Sequence, residues 1–337
     1  MGRVVLVTGV SRDVGRRFAC FAAADPSVDR VIGVDVVPPR GDIGDVDFVR
    51  ADIRNPLIAK VIAREGVDTV VHMSVIATPN SAGGRVAMKE LNVIGTMQLL
   101  AACQKAENLK HLIVKSSTTV YGASSRDPAM FTEDMGPKRP PRSGYQREIE
   151  EIEGYVRSFA RRRPDVRVAI LRCANVMGPH VVSPLTDYFQ MPVIPMVLGF
   201  DPRLQFLHED DLNGALLRAV VSDVGGTFNV AGDGMVMLSQ AVRRVGRAPM
   251  PMPAFAVRQA VAALRSARLT EFSPEMVSLI TYGRGVDTTR TREVLGFEPA
   301  YTSAQAFADF GRRLGKETSA GPALAAPSRA FSGASRG

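Results

Sequence analysis

The sequence encodes a doubly wound α/β architecture: an open parallel sheet covered by helices, with a smaller lobe toward the C-terminus. Three features carry that expectation. Short β-branched runs alternate with longer amphipathic stretches over residues 1–176. These runs are apolar on both faces, as strands sandwiched between two helical layers must be. After about residue 176 the alternation gives way to Pro-rich sequence, VMGPHVVSPLTDYFQMPVIPMVLGFDPR, and then to mixed elements as far as about residue 314.

In chain order, RVVLVTGVSRDVGRRFACFAA reads as strand, tight turn and helix. RVIGVD is the second strand, followed by a loop, and VDFVRAD is the third. DTVVHMS, HLIVKSS and VRVAILR continue the strand series, with helical stretches between them that supply the crossovers of a parallel sheet. Residues 1–176 therefore form the sheet domain, with parts of 203–233 returning to it, and 177–314 form mainly the smaller lobe. The final stretch, 315–337, is rich in Ala, Ser, Gly and Pro without a helical or strand period, and is expected to be a disordered tail.

Composition excludes several classes. No apolar run approaches the roughly 18 residues that span a bilayer, so neither a membrane anchor nor a signal peptide is expected and the cytoplasm is the expected compartment. Cys20, Cys103 and Cys173 are scattered without paired spacing, as reduced core thiols are, and no metal site is expected. The net charge is +8, but the basic residues are dispersed apart from Arg161, Arg162 and Arg163, which read as a solvated helix end before Pro164. No nucleic-acid partner is expected.

The first turn carries the chemistry. Gly9 closes the strand and Gly15 follows six residues later, so that backbone and the N-terminus of the following helix can approach a pyrophosphate. The middle glycine of a TGxxGxxG turn is replaced by Arg12, and that of a TGxxxGxG turn by Asp13. Asp35 ends the second strand twenty residues past Gly15, where a carboxylate accepts hydrogen bonds from an adenosine ribose. Asp52, after the third strand, is placed for the adenine edge. A dinucleotide site is the combined reading. Asp35 repels a 2′-phosphate while Arg12 and Arg40 attract one, and NAD is expected over NADP.

The strings TGVSRDVG, VDTVVHMS, LNVIGTMQLLAAC, SSTTVYG, LRCANVMGP, LQFLHEDDL, GTFNVAG and DTTRTREVLGFEPAYT occur in an order and spacing that resemble the extended short-chain dehydrogenase/reductases. Within these, the chain resembles the NAD-dependent epimerase/dehydratase family typified by UDP-glucose 4-epimerase. Through ADIRNP, KELN and EGYVR it is similar to an actinobacterial UDP-glucose 4-epimerase-like subgroup. The resemblance implies a Rossmann-type sheet, a nucleotide-sugar substrate and a homodimer as the candidate assembly. It implies pyrophosphate contact at Gly9 and Gly15, ribose contact at Asp35, adenine contact at Asp52, and cofactor-side positions at Met73, Ser74 and Asn92, the last alternatively a helix-packing residue. Ser117 matches the hydroxyl that bonds a reacting sugar oxygen and Tyr145 the general acid/base. Asn175 matches a substrate-side residue, and His208 with Asp210 and Asp211 a structural motif.

Two departures stand out. The family's YxxxK reads YQREI here, so Ile149 occupies the lysine position one helical turn from Tyr145. An unaided tyrosine, with its pKa near 10, offers about one tyrosinate in a thousand at neutral pH. Lys115 shares strand parity with Ser117, about 6.6 Å along the strand, and is the candidate replacement cation. The other departure is Leu204, where the family often has an arginine for the sugar-nucleotide phosphates; Arg203 is the adjacent candidate. Two functions stand at this point: a nucleotide-sugar epimerase or dehydratase with an atypical site, or an NAD(P)-binding regulator or scaffold with little turnover.

Overall fold

The computed structural model describes residues 2–77, 84–138, 141, 144–257, 259, 261 and 272–319. Seven strands form a parallel sheet: β1 (Arg3–Thr8), β2 (Val28–Asp35), β3 (Val46–Arg50), β4 (Thr69–His72), β5 (His111–Ser117), β6 (Arg167–Cys173) and, from far along the chain, Gly226–Val230. From edge to edge their order is Gly226–Val230, β6, β5, β4, β1, β2, β3. The chain starts in the middle at β1, builds outward through β2 and β3, then returns to the other side of β1 at β4. The β1/β4 boundary is therefore the topological switch point, where loops at the strand carboxyl ends diverge and leave a crevice.

Helices α1 (Asp13–Ala23), α2 (Ile58–Arg64), α3 (Arg85–Lys89), α4 (Gly95–Lys105) and α5 (Tyr145–Arg162) make the crossovers. Between α3 and α4 the residues Glu90–Ile94 form a π-turn. A wider turn of this kind displaces side chains from the regular helical register and is frequent at functional positions. The sheet core is dry: Leu6, Ile32, Leu112, Val114, Leu171 and Phe18 are all fully enclosed. His72 is one of the polar side chains enclosed with it. Its Nδ1 meets Thr8 Oγ1 at 2.9 Å and its Nε2 meets Thr96 Oγ1 at 2.9 Å, tying β1, β4 and α4 together. Burial and the nearby Arg12 charge push its pKa down to about 4, so the ring is neutral.

A second apolar cluster, with Tyr188, Phe189, Leu204, Phe206, Phe307 and Phe310 enclosed, forms the smaller lobe. Its elements are β7 (Asn175–Met177), α6 (Pro184–Gln190), β8 (Val193–Val197), β9 (Arg203–Leu204), β10 (Phe206–His208), α7 (Glu209–Val221), Gly226–Val230 as β11, β12 (Val236–Met237), α8 (Leu238–Arg244) and β13 (Ala248–Met252). Of these, α7 and β11 pack with the sheet core, since Leu212, Leu216 and Phe228 belong to it. Helices Pro274–Tyr282 and Ser303–Ser319 follow.

Residues 315–319, expected to open a tail, belong to the last helix. The last helix runs to Ser319 because its anchors Phe307, Phe310 and Leu314 recur at helical spacing and are buried, carrying the helix one turn beyond Leu314. Residues 320–337 lie outside the described residues. No helix among the described residues is long and apolar enough to cross a membrane.

Candidate active site

The β1–α1 turn is built as a tight backbone corner. Gly9 has φ +84°, and a Cβ there would stand 3.1 Å from Ser74 Oγ and 3.2 Å from the Met73 carbonyl carbon. Gly15 lies so close to the Gly9 carbonyl that a side chain would displace it. Thus both glycines answer a steric demand, and Met73 and Ser74 at the end of β4 form the opposing wall.

Asp35 braces this corner from the end of β2. Its Oδ2 accepts from Ser11 N at 3.0 Å and from Ser11 Oγ at 2.6 Å, and its Oδ1 accepts from Val36 N at 2.8 Å. An ionised carboxylate offers about four acceptor positions, so roughly one stays open to a ligand hydroxyl. Asp52 is more committed: Arg54 donates to it through Nε (3.0 Å) and Nη2 (2.6 Å) and through its backbone N (2.9 Å), which holds the carboxyl pKa below its usual value.

Asn92 faces protein on every side. It is 0% exposed, its Oδ1 accepts from Ile76 N at 2.8 Å, and its Nδ2 donates to the Ile76 carbonyl (2.8 Å) and to Glu148 Oε2 (2.9 Å). The π-turn aims it at the loop after β4, which it pins. These contacts engage both the oxygen and the nitrogen of its amide.

Ser117 ends β5 and Tyr145 opens α5, both partly buried. Ser117 Oγ donates to Thr119 Oγ1 (3.0 Å) and accepts from Thr119 N (3.1 Å). Gly144 precedes Tyr145 at φ +91°, swinging the ring inward. Burial raises the tyrosine pKa, and the nearby Glu148 and Cys173 raise it further, while Arg12 and Arg284 lower it. Ile149 is 1% exposed within the sheet core, so the position one turn beyond Tyr145 is apolar. Glu148, beside it, turns inward to Asn92 and to Arg85, 2.6 Å from its Oε1. The helix therefore gives Tyr145 an anion and no cation.

Positive charge comes instead from other elements. Arg12, in the β1–α1 turn, faces Asp35 and Tyr145; Lys115 faces Cys173 and Arg12. Burial pulls the pKa of both below its usual value, and neither has a carboxylate within ion-pair distance among the described residues. Arg284 is the third cation, and nothing in its local sequence announces it. On the lobe side, Asn175 begins β7 and is partly buried, whereas the Arg203 side chain is exposed. Leu204, 0% exposed, is spent on the lobe core, so no cation can stand there. His208 stacks on Tyr301, and Asp211 accepts from Ala300 N and Tyr301 N; both are structural.

A switch-point glycine corner, an acid at the end of β2 and a Ser/Tyr pair at the carboxyl ends of the same sheet define a short-chain dehydrogenase/reductase. More narrowly, residues 5–231 match the family model described as the NAD dependent epimerase/dehydratase family, and the chain belongs to that family. An uncharacterized protein of Mycobacterium tuberculosis (strain H37Rv) is 47% identical over 317 residues, spanning 93% of this chain and 84% of its own. Among solved structures, UDP-glucose 4-epimerase of Thermotoga maritima with UDP-glucose superposes with a TM-score of 0.72 at 18% identity, covering 94% of this chain and 99% of its own. dTDP-glucose 4,6-dehydratase of Bacillus anthracis, in complex with NAD, gives 0.71 at 18% identity, covering 94% and 98%. At such identity the likeness is one of fold.

Proposed function

We propose that this chain is an NAD-dependent oxidoreductase of the epimerase/dehydratase type, acting on a nucleotide sugar as the UDP-glucose 4-epimerases do, with Ile149 in place of the usual active-site lysine. The observation that supports it best is the convergence of Gly9, Gly15 and Asp35 with Ser117 and Tyr145 along one carboxyl edge of one sheet. The residues fit a dinucleotide. Gly9 and Gly15 keep the turn free of side chains, the first N–H groups of α1 would donate to phosphate oxygens, and Arg12 in the same turn adds positive charge. Asp35 would hold the adenosine ribose and Asp52 the adenine edge, with Met73 and Ser74 beside the phosphates. When bound, NAD supplies the acceptor and later the donor of a hydride.

The chain's own groups handle the proton. Ser117 would donate a hydrogen bond to the reacting sugar oxygen, and Tyr145, as the base, would take the proton of that hydroxyl and later return it. Lys115 adds positive charge on the β5 face that carries Ser117, and Asn175 with Arg203 would meet the substrate from the lobe.

A second reading, an NAD-binding regulator with little turnover, is favoured by the raised tyrosine pKa and by Ile149. Native mass spectrometry of the purified chain tests both, looking for retained NAD and a co-retained nucleotide sugar. UDP-glucose is then added, and the near-ultraviolet absorbance of reduced nicotinamide is followed. Retained NAD with sugar-dependent reduction supports the enzyme, and retained NAD without it supports the regulator. Absence of NAD binding, even on addition, sinks both.

A further inference from the structure

Arg284 reaches the site from outside the sheet domain, in the extended stretch that follows helix Pro274–Tyr282. That stretch is fixed on both sides. Arg284 N donates to the Arg203 carbonyl (3.1 Å), Phe131 N donates to the Gly285 carbonyl (2.9 Å), and Val286 N donates to Gln205 Oε1 (2.8 Å). The entry is shaped by Gly283, whose φ is +74° and where a Cβ would stand 2.8 Å from Arg203 N.

From there the guanidinium runs to the carboxyl end of β5. Its Nη1 donates to the Gly122 carbonyl at 2.9 Å, and its Nη2 lies 3.5 Å from Thr119 Oγ1, the atom that accepts from Ser117 Oγ. An arginine has five N–H donors. Its acceptors here are neutral, and among the described residues no carboxylate lies within ion-pair distance. The titratable groups that face Arg284 are Asp127, Tyr121 and Tyr145.

The geometry points to Arg284 as the positive charge that serves Tyr145 in place of the lysine excluded at Ile149: a positioning residue that stabilises the tyrosinate. This rests on the reading of Tyr145 as the base. The groups facing Tyr145 are Glu148 on its own helix, Cys173 on β6, Arg12 on the β1–α1 turn, and Arg284. Glu148 and Cys173 oppose ionisation. Arg12 faces Asp35 first, and dinucleotide phosphates would neutralise it further. Lys115 answers to Cys173 and Arg12 rather than to the tyrosine. Arg284 combines proximity to Tyr145 with anchorage to the Ser117 network, and Asp127, the acid that faces it, is held by Ser124 N and Ser124 Oγ and makes no ion pair with it among the described residues. Burial lowers its pKa to about 10, which still leaves it charged at neutral pH.

The test is a carbon-13 NMR titration of full-length protein labelled at the tyrosine ring carbon bearing oxygen, with Tyr145→Phe assigning the signal, run with and without NAD. Arg284→Gln, which keeps a donor for Gly122, should raise the Tyr145 pKa by about one unit or more. Arg284→Met serves if the glutamine variant does not fold. Arg284→Lys should restore a near-native value, and Lys115→Met should leave it unmoved. An unmoved tyrosine in Arg284→Gln overturns the proposal, as does an equal rise caused by Lys115→Met. Loss of UDP affinity in Arg284→Gln with an unmoved tyrosine also overturns it, assigning the charge to a substrate phosphate. Calorimetry with NAD on the same samples separates the two levels. A wild-type protein that does not bind NAD refutes the site reading itself, whereas normal NAD binding with an unmoved tyrosine refutes the role of Arg284 alone.

Discussion

Replacing Asp35 by Ala should weaken NAD binding by two routes, and the structure separates them. The carboxylate holds Ser11 through both its backbone N and its hydroxyl, so it organises the glycine corner as well as offering an acceptor to a ribose. A hydrogen bond to a charged group contributes about 1.5–3 kcal/mol, so losing the ribose contact alone raises Kd about 10- to 150-fold. Asp35→Ala also leaves Ser11 N without its partner and should fall at the upper end of that range. Asp35→Asn keeps an acceptor for Ser11 but loses the charge, and should fall between Asp35→Ala and Ser11→Ala, which disturbs the corner without touching the carboxylate. Titration calorimetry with NAD and NADP reads the series. NADP should lose less affinity than NAD in Asp35→Ala, because the removed charge repels a 2′-phosphate. Unchanged NAD affinity in Asp35→Ala would take the end of β2 out of the binding site and undo the assignment of the corner with it.

Two further outcomes concern stability. His72 is 1% exposed with a pKa near 4, against 6.5 for a free histidine, so between those values the unfolded chain binds a proton that the folded chain refuses. Its contribution is whole above pH 6.5 and is lost as pH falls toward 4, about 3 kcal/mol in all; urea unfolding of wild type and His72→Gln across that window should show the difference closing at low pH. Glu153 (0%) and Arg172 (8%) form a buried pair 2.7 Å apart. Arg172→Met should cost less than the about 3–5 kcal/mol of a fully stranded carboxylate, because Ser116 Oγ and Arg157 still hold Glu153, and adding Glu153→Met should recover part of that loss.

The parts of this fold that were legible in the sequence are those whose cause is local. Six of the seven sheet strands show themselves as β-branched runs, the seventh being Gly226–Val230 with sequence GTFNV, and Gly9, Gly15 and Asp35 carry their spacing with them. Ser117 and Tyr145 were readable through motif strings. Lys115 does share a face with Ser117, as strand parity requires, but its nearest charged neighbours depend on the pairing of β5 with β6, which sets Ser117 beside Cys173. Glu148 stands three residues after Tyr145 on the same helix. That it turns inward depends on Asn92, and so on a π-turn that no periodicity announces. Leu204 marked a missing arginine but not its reason, which is a second core assembled from segments far apart in sequence. Arg284 was illegible for the same cause: its approach to Tyr145 is made by Gly283 packing against Arg203, a contact between remote segments.

The position of the missing lysine can itself be interrogated. Ile149 shares its helical face with Tyr145 but lies 1% exposed among sheet-core residues, so a lysine there would have to hold an ammonium in dry surroundings or swing it toward the crevice. If the core has closed around the position, Ile149→Lys is destabilising because of its charge and not its shape, and Ile149→Met, similar in volume, should cost under about 1.5 kcal/mol. A buried ammonium has its pKa depressed below the 10.4 of a free lysine, and between the two values only the unfolded chain is protonated. Stability of the variant should therefore rise with pH through that interval, so that its deficit relative to Ile149→Met is largest near neutrality and shrinks by pH 10. Urea midpoints for the two variants at both pH values read this directly. A deficit that does not change with pH would mean that the ammonium finds a wet or paired place. A drop in the Tyr145 pKa alongside it would locate that place in the crevice, and Ile149 would then be a substitution at an intact catalytic position and not the sign of a repacked one.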